Sequence, residues 1–219
     1  GAADLPWHSA AQVERVQVTG RLAVGVSFDL RKSFDHVEWD VVGGLAATMG
    51  APAGPIQAVL RLCAKLRRSF QAPGTRVAGP ATRSRRGVPQ GCGLAPPCMA
   101  HVIRLWVAHL QGVPLHGGTL DVRMVVDDLH LLVEFPDAHA PTRARAYAAL
   151  HGLVKASARL LRAAGQCLNE AKCAAWSTSA LLQREHPGGV TLGRFPPGHP
   201  RHRPPIPWAA GFRDLGLTW

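Results

Sequence analysis

Two mostly apolar runs that end on carboxylates limit what this chain can become. In the first, Leu22, Val24, Val26 and Phe28 alternate with Ala23, Gly25, Ser27 and Asp29. That two-residue period predicts a strand from Leu22 to Leu30, with the large set turned to a core. The other face is small and closes on Asp29, so it is open to something. In the second run, Val122 to Val133 is apolar on both sides of Asp127-Asp128. This predicts two strands joined by a tight turn. An acid at the end of an apolar strand is costly unless it binds something. Alternation alone sends neighbouring aspartates to opposite faces, so only a turn lets both reach one site. A polar hairpin turn with no further role is the plain alternative.

Three carboxylates on strand ends suit hard divalent cations. Mg2+ takes carboxylate oxygens and keeps several waters. Phosphoryl transfer uses two such ions about 3.5 to 4 Å apart, one on the attacking and one on the leaving oxygen. Asp29, Asp127 and Asp128 are the candidates for holding them.

The rest of the chain reads as alternating helices and short strands. A short helix is expected from Ser9 to Gln17, broken by Gly20. Pro52 to Phe70 has an apolar stripe (Ile56, Val59, Cys63, Leu66, Phe70) beside a basic one (Arg61, Lys65, Arg68), as in an amphipathic helix. Gln71 to Arg86 looks like a hairpin ending in a basic run that includes Arg83, Arg85 and Arg86. Met99 to Leu110 and Ala140 to Ala164 read as helices, the latter stopped by Gly165. Ala171 to Thr178 is a further strand. Residues 183–207 are rich in Pro and Gly and form a loop, and 208–219 look like a hairpin. Strands and helices in this order predict an α+β fold: an antiparallel sheet covered by helices on one face.

Charge narrows the partners. The 219 residues hold 25 Lys and Arg against 14 Asp and Glu, a formal net charge of +11. Polyanions are favoured, nucleic acid first and an anionic membrane second. A coding bias toward arginine is the bland alternative. The five cysteines include no CxxC pair, and their odd number suits reduced thiols of an intracellular, non-secreted chain. No apolar run reaches the roughly 18 to 20 residues of a membrane span. The opening Gly1 and the strand-like end at Trp219 suggest a piece of a longer reading frame.

Five blocks in one order carry a resemblance. VSFDLRKSFDHVEW (Val26 to Trp39) resembles motif A of reverse transcriptases, most closely those of non-LTR, LINE-type retrotransposons. RRGVPQGCGLAPP (Arg85 to Pro97) is similar to their motif B and MVVDDLHLLV (Met124 to Val133) to motif C. AAGQCLNEAKC (Ala163 to Cys173) resembles motif D, and GFRDLGLTW (Gly211 to Trp219) motif E.

The resemblance implies a polymerase palm with part of the fingers and no thumb. Residues 1–20 would belong to fingers or linker, 21–182 to the palm with partial fingers, 183–207 to a loop and 208–219 to the motif E hairpin. It implies an RNA-directed DNA polymerase that adds deoxynucleotides to a primer 3′-OH. RNA template, DNA primer, deoxynucleoside triphosphates and the rest of a retrotransposon polyprotein would be its partners, in nucleus or cytoplasm. Asp29, Asp127 and Asp128 would hold two Mg2+ ions, with Mn2+ as a substitute and the Leu30 carbonyl as a further ligand. Phe34 would sit beneath the sugar and exclude a 2′-OH. Gly87, Pro89, Gln90 and Gly91 would line the nucleotide pocket, where glycines let the backbone approach closely. Lys172 would protonate or neutralise the leaving pyrophosphate, and Asn169 also fits the LINE-type pattern. Phe212, Leu215 and Gly216 would grip the primer, and the basic Arg83, Arg85 and Arg86 would meet nucleic acid. Two departures stand out. Val125 replaces an aromatic, and Gly93-Leu94-Ala95-Pro96 replaces Pro-Leu-Ser-Pro. A catalytically dead remnant that only binds nucleic acid is the alternative.

Overall fold

The computed structural model describes residues 4–69, 74, 79–89, 91–93, 95–125, 128–192 and 204–209. Two compact units divide the chain. The first comprises Gly1–Arg31, Val107–Leu160 and Leu168–Trp219, the second Lys32–Trp106 and Leu161–Cys167.

In chain order the elements are α1 (Asp4–Val18), β1 (Leu22–Asp29), a 3-10 turn (Ser33–His36), α2 (Trp39–Thr48) and α3 (Ala53–Lys65). Then come β2 (Arg67–Arg68), β3 (Thr82–Arg83), α4 (Ala95–Leu110), β4 (Thr119–Val125) and β5 (Asp128–Phe135). The chain continues through α5 (Ala140–Ala163), a second 3-10 turn (Glu170–Lys172), β6 (Ala174–Ser177) and α6 (Ala180–Glu185).

The first unit is built on a four-stranded antiparallel sheet in the order β4-β5-β1-β6. Its register sorts side chains cleanly, because directly paired residues share a face. One face collects Leu22, Val24, Val26 and Phe28 with Leu129, Leu131, Val133 and Phe135, all at most 1 % exposed. The predicted core face of β1 is therefore the observed one. Helix α5 turns Ala146, Ala149, Leu150, Leu153 and Val154 inward, all fully buried. It stops at Gly165, whose φ of +79° is a left-handed conformation natural to glycine.

Among the described residues, the opposite face of β1 is open only at its Asp29 end. Val13 and Val16 of α1 pack with Ala23, Leu132 and Trp176 over its far half. Arg15 and Arg21 each reach a different oxygen of the buried Glu134 at 2.6 Å. Gly25 is covered as well: the Trp176 indole occupies the space a Cβ would need. Only Ser27 and Asp29 of the small set keep partial exposure. The sequence left this covering invisible, since Trp176 arrives from a strand 151 residues further along the chain, paired with Gly25 across β1 and β6.

In the second unit, α2 and α3 pack closely at Gly43, where a Cβ would lie 3.3 Å from a Leu60 methyl. The helix predicted to reach Phe70 ends at Lys65, because Leu66 turns extended at ψ 132°. Arg67 and Arg68 instead pair with Arg83 and Thr82. Arg68 thus leaves the predicted helical basic stripe and meets Asp35 at 3.5 Å. Residues 180–185, expected within or beside the Pro/Gly loop, form α6, with the Ser179 hydroxyl accepting from the Leu182 N–H at its start. Among the described residues no helix is long and apolar enough to cross a membrane. All five cysteines are free.

Candidate functional site

The open end of the sheet gathers the chemistry of the first unit. Asp29 ends β1 and Asp128 begins β5, and the two are direct register partners. They therefore lie side by side on one face, as the strand-turn-strand reading requires of Asp128. Asp127 lies outside the described residues.

A third element reaches this corner through backbone bonds. Leu30 forms an antiparallel bridge with Leu168, and the Asn169 N–H donates to the Asp29 carbonyl at 2.8 Å. The chain then turns through Glu170–Lys172, with the Lys172 N–H donating to the Asn169 carbonyl at 2.8 Å. This turn brings Lys172 Nζ to 3.7 Å from Asp29 Oδ1. The lysine side chain is 69 % exposed and that of Asp29 26 %, so the pair is loose and solvent-screened. The Ala163–Cys173 block is thus joined to the Val26–Trp39 block by main-chain hydrogen bonds, and Asn169 serves through its backbone.

Asp29, Asp128 and Lys172 line a cleft of about 460 Å3 with Ser27, His130 and Cys173. Ser27 and His130 are themselves register partners on the same face. Burial holds the His130 imidazole below its ordinary pKa of 6.5; Asp128 opposes this and Arg123 adds to it. Burial also pushes the Cys173 thiol up to about 11, with a backbone hydrogen bond at Asp29 opposing and the charges of Asp29 and Glu170 adding. That thiol is a poor nucleophile. His130 was missed in the sequence, although it stands two residues after Asp128 and strand alternation puts both on one face.

The donors at this corner are of the kind a hard cation takes: two carboxylates on one face with solvent access. Among the described residues no three acidic, His or Cys groups converge as a metal cluster.

The Arg85–Pro97 block belongs to the second unit. Gly87 packs on the Ser33–His36 turn, with a Cβ position 2.7 Å from the Asp35 carbonyl oxygen and φ +89°. The Gly87 N–H donates to Val37 and the Val88 N–H to Phe34, both at 2.8 Å. The Trp39 indole N–H donates to the Gly87 carbonyl at 2.9 Å. Gly87 is therefore needed by the chain's own packing. Phe34 is half-buried in the Ser33–His36 turn. Pro89 borders a shallow hollow of about 350 Å3 with Asp35, Leu66 and Arg68. Gly91 is exposed at φ +81°, with open space around it. Arg83, Arg85 and Arg86 are exposed, and Arg86 meets Glu38 at 3.2 Å. Gln90, Phe212, Leu215 and Gly216 lie outside the described residues.

No protein-family profile matches this sequence, and no curated protein does. Among solved structures it is similar to a telomerase from Candida tropicalis, determined in complex with a TWJ fragment of telomeric RNA. The identity is 11 % and the TM-score 0.51, over 78 % of this chain and 30 % of that one. The chain thus spans about a third of that telomerase's length, and the likeness shows the fold alone: an α+β fold shared with part of that telomerase.

Proposed function

We propose that this chain is the catalytic palm of an RNA-directed DNA polymerase of the LINE retrotransposon type. It would add deoxynucleotides to a DNA primer 3′-OH on an RNA template, within a larger polyprotein acting in nucleus or cytoplasm. The observation that supports this most is the pairing of Asp29 with Asp128 across β1 and β5, beside Lys172. The telomerase-like fold supports the same class.

Asp29, Asp128 and, by the resemblance, Asp127 would hold two Mg2+ or Mn2+ ions, which activate the primer hydroxyl and offset charge on the leaving oxygen. The chain's own share is positioning and charge. Lys172 is loosely held and exposed, so its ammonium is free to swing from Asp29 to the departing pyrophosphate and neutralise it. By the resemblance, Phe34 excludes a ribose 2′-OH, and Gly87, Pro89, Gln90 and Gly91 shape the nucleotide pocket. Phe212, Leu215 and Gly216 would hold the primer end.

A binding-only remnant is the second reading, favoured by Val125 in the place of motif C's aromatic. Primer extension on an RNA template with Mg2+ separates the two. Extension by the protein, abolished in Asp127→Asn and Asp128→Asn, supports the polymerase. Salt-sensitive hybrid binding that is equal in all three proteins, with no extension by any, supports the remnant.

A further inference from the structure

Charge is segregated along this chain far more sharply than its total reveals. Residues 41 to 120, a stretch of 80, hold nine Lys and Arg and not one Asp or Glu. The stretch supplies +9 of the formal +11. A coding bias toward arginine would add cations everywhere. It would not clear the acids from one stretch and leave all 14 in the remainder.

Three of these nine cations, Arg67, Arg68 and Arg83, lie on the β2–β3 ribbon. Arg67 and Arg83 are direct cross-strand partners and both are exposed. Like charges placed opposite each other destabilise a strand pair. Neither has an acidic partner among the described residues, although Arg68 has Asp35 and Arg86 has Glu38. Arg61 and Lys65 of α3 and Arg85 after β3 are exposed within a few residues of the ribbon. A two-stranded ribbon is marginal by itself, so repulsion at its centre needs a counterweight. Two facing guanidinium groups without an acidic partner among the described residues, Arg67 and Arg83, match consecutive phosphates.

We propose that the Arg67–Arg83 ribbon is a sequence-independent docking surface for a nucleic-acid backbone. The choice of an RNA–DNA hybrid as ligand rests on the polymerase reading; the surface itself does not. Phosphates bridging the two arginines turn a repulsive pair into a stabilised one. The ribbon is therefore tighter in the complex than in the free protein.

The test is the salt dependence of binding to a short labelled hybrid, together with thermal melting. Arg67→Gln/Arg83→Gln is compared with a charge-matched control on α5, Arg159→Gln/Arg162→Gln, both exposed. The ribbon variant is expected to bind roughly 10- to 100-fold more weakly at 0.1 M salt, with the log K against log salt slope smaller by about 2. Its Tm is unchanged or higher. Arg83→Glu gives Arg67 an opposite charge to pair with and keeps the ribbon closed, so weaker binding there at an undiminished Tm supports docking. An unchanged slope in the ribbon variant, equal loss in the control, or full binding by Arg83→Glu would overturn the proposal. So would loss of binding to anionic phosphatidylserine vesicles with hybrid binding intact, which would make the surface a membrane contact. Binding is read without turnover, so it is decided separately from extension and from Asp29 and Asp128.

Discussion

Asp29 and Asp128 stand directly opposite each other where β1 meets β5, a like-charged pair at the open end of β1. Directly opposed like charges weaken a strand pair by a few tenths of a kcal/mol to about 1. Lys172, at 3.7 Å from Asp29, offsets part of this through solvent. Asp128→Asn keeps the shape and removes the repulsion. It is expected to raise Tm by about 1 to 3 °C while lowering extension by at least about 100-fold. A variant that melts lower, or extends as fast, would show that the pair is not held for chemistry.

Gly25 admits no side chain. An added Cβ would overlap the Trp176 indole and come within 2.6 Å of the Leu131 carbonyl oxygen. An indole can tilt, but the backbone of a central strand cannot easily move. Gly25→Ala is expected to lose about 3 kcal/mol in urea unfolding, at the upper end of overpacking effects. Adding Trp176→Ala should recover only part, because the Leu131 contact remains, and the two effects should be less than additive. Strict additivity would mean that Trp176 does not rest on Gly25.

Gly87 has a different reason to be glycine. Its φ of +89° is unfavourable for any side chain, and the Asp35 backbone fills the space a Cβ needs. Gly87→Ala therefore strains the residue and pushes on the turn that holds Phe34. A loss of about 2 to 4 kcal/mol follows from the conformation and the clash together. If this turn positions Phe34, the variant should also admit ribonucleotides more readily wherever it still extends. Unchanged stability in denaturant titration would rule out the contact between Gly87 and Asp35.

Local pattern revealed what local physics decides. The alternation from Leu22 to Phe28 gave β1 and its inward face, and the apolar run around Asp127-Asp128 gave β4 and β5. Asp29 and Asp128 then fell together because register follows from the buried face. Long-range covering was not legible. Nothing near Gly25 announces Trp176, and nothing near Ala23 announces Val13 and Val16. Helix α2 drew no assignment, since Gly43 and Gly44 lower helix propensity at its middle; Gly43 is explained only by the approach of Leu60. The stripe that carried the next helix to Phe70 failed at Leu66. There the pairing of Arg68 with Thr82, and its contact with Asp35, outweigh a period read over few turns.

His130 gives the cleft a pH signature. Burial depresses its pKa below 6.5, so the folded protein holds this imidazole neutral where the unfolded chain begins to protonate it. Below that pH the unfolded state binds more protons, and stability falls as pH drops until the folded imidazole also titrates. The contribution is complete above 6.5 and lost on the acid side. Asp128 works against the shift, and Arg123, the register partner of His130 on β4, works with it. His151 is depressed in the same direction, by burial and by Lys155, so it contributes to the same limb. His130→Gln should therefore flatten part of the decline in urea midpoint between about pH 7.5 and about pH 5.5, and His130→Gln/His151→Gln more of it. Asp128→Asn removes the opposing charge, which moves the onset of His130 protonation in the folded state to lower pH and steepens the decline. Midpoints that track wild type in His130→Gln across that window would mean the imidazole is already solvated. The cleft floor beside Asp29 and Asp128 would then be wetter than its burial implies.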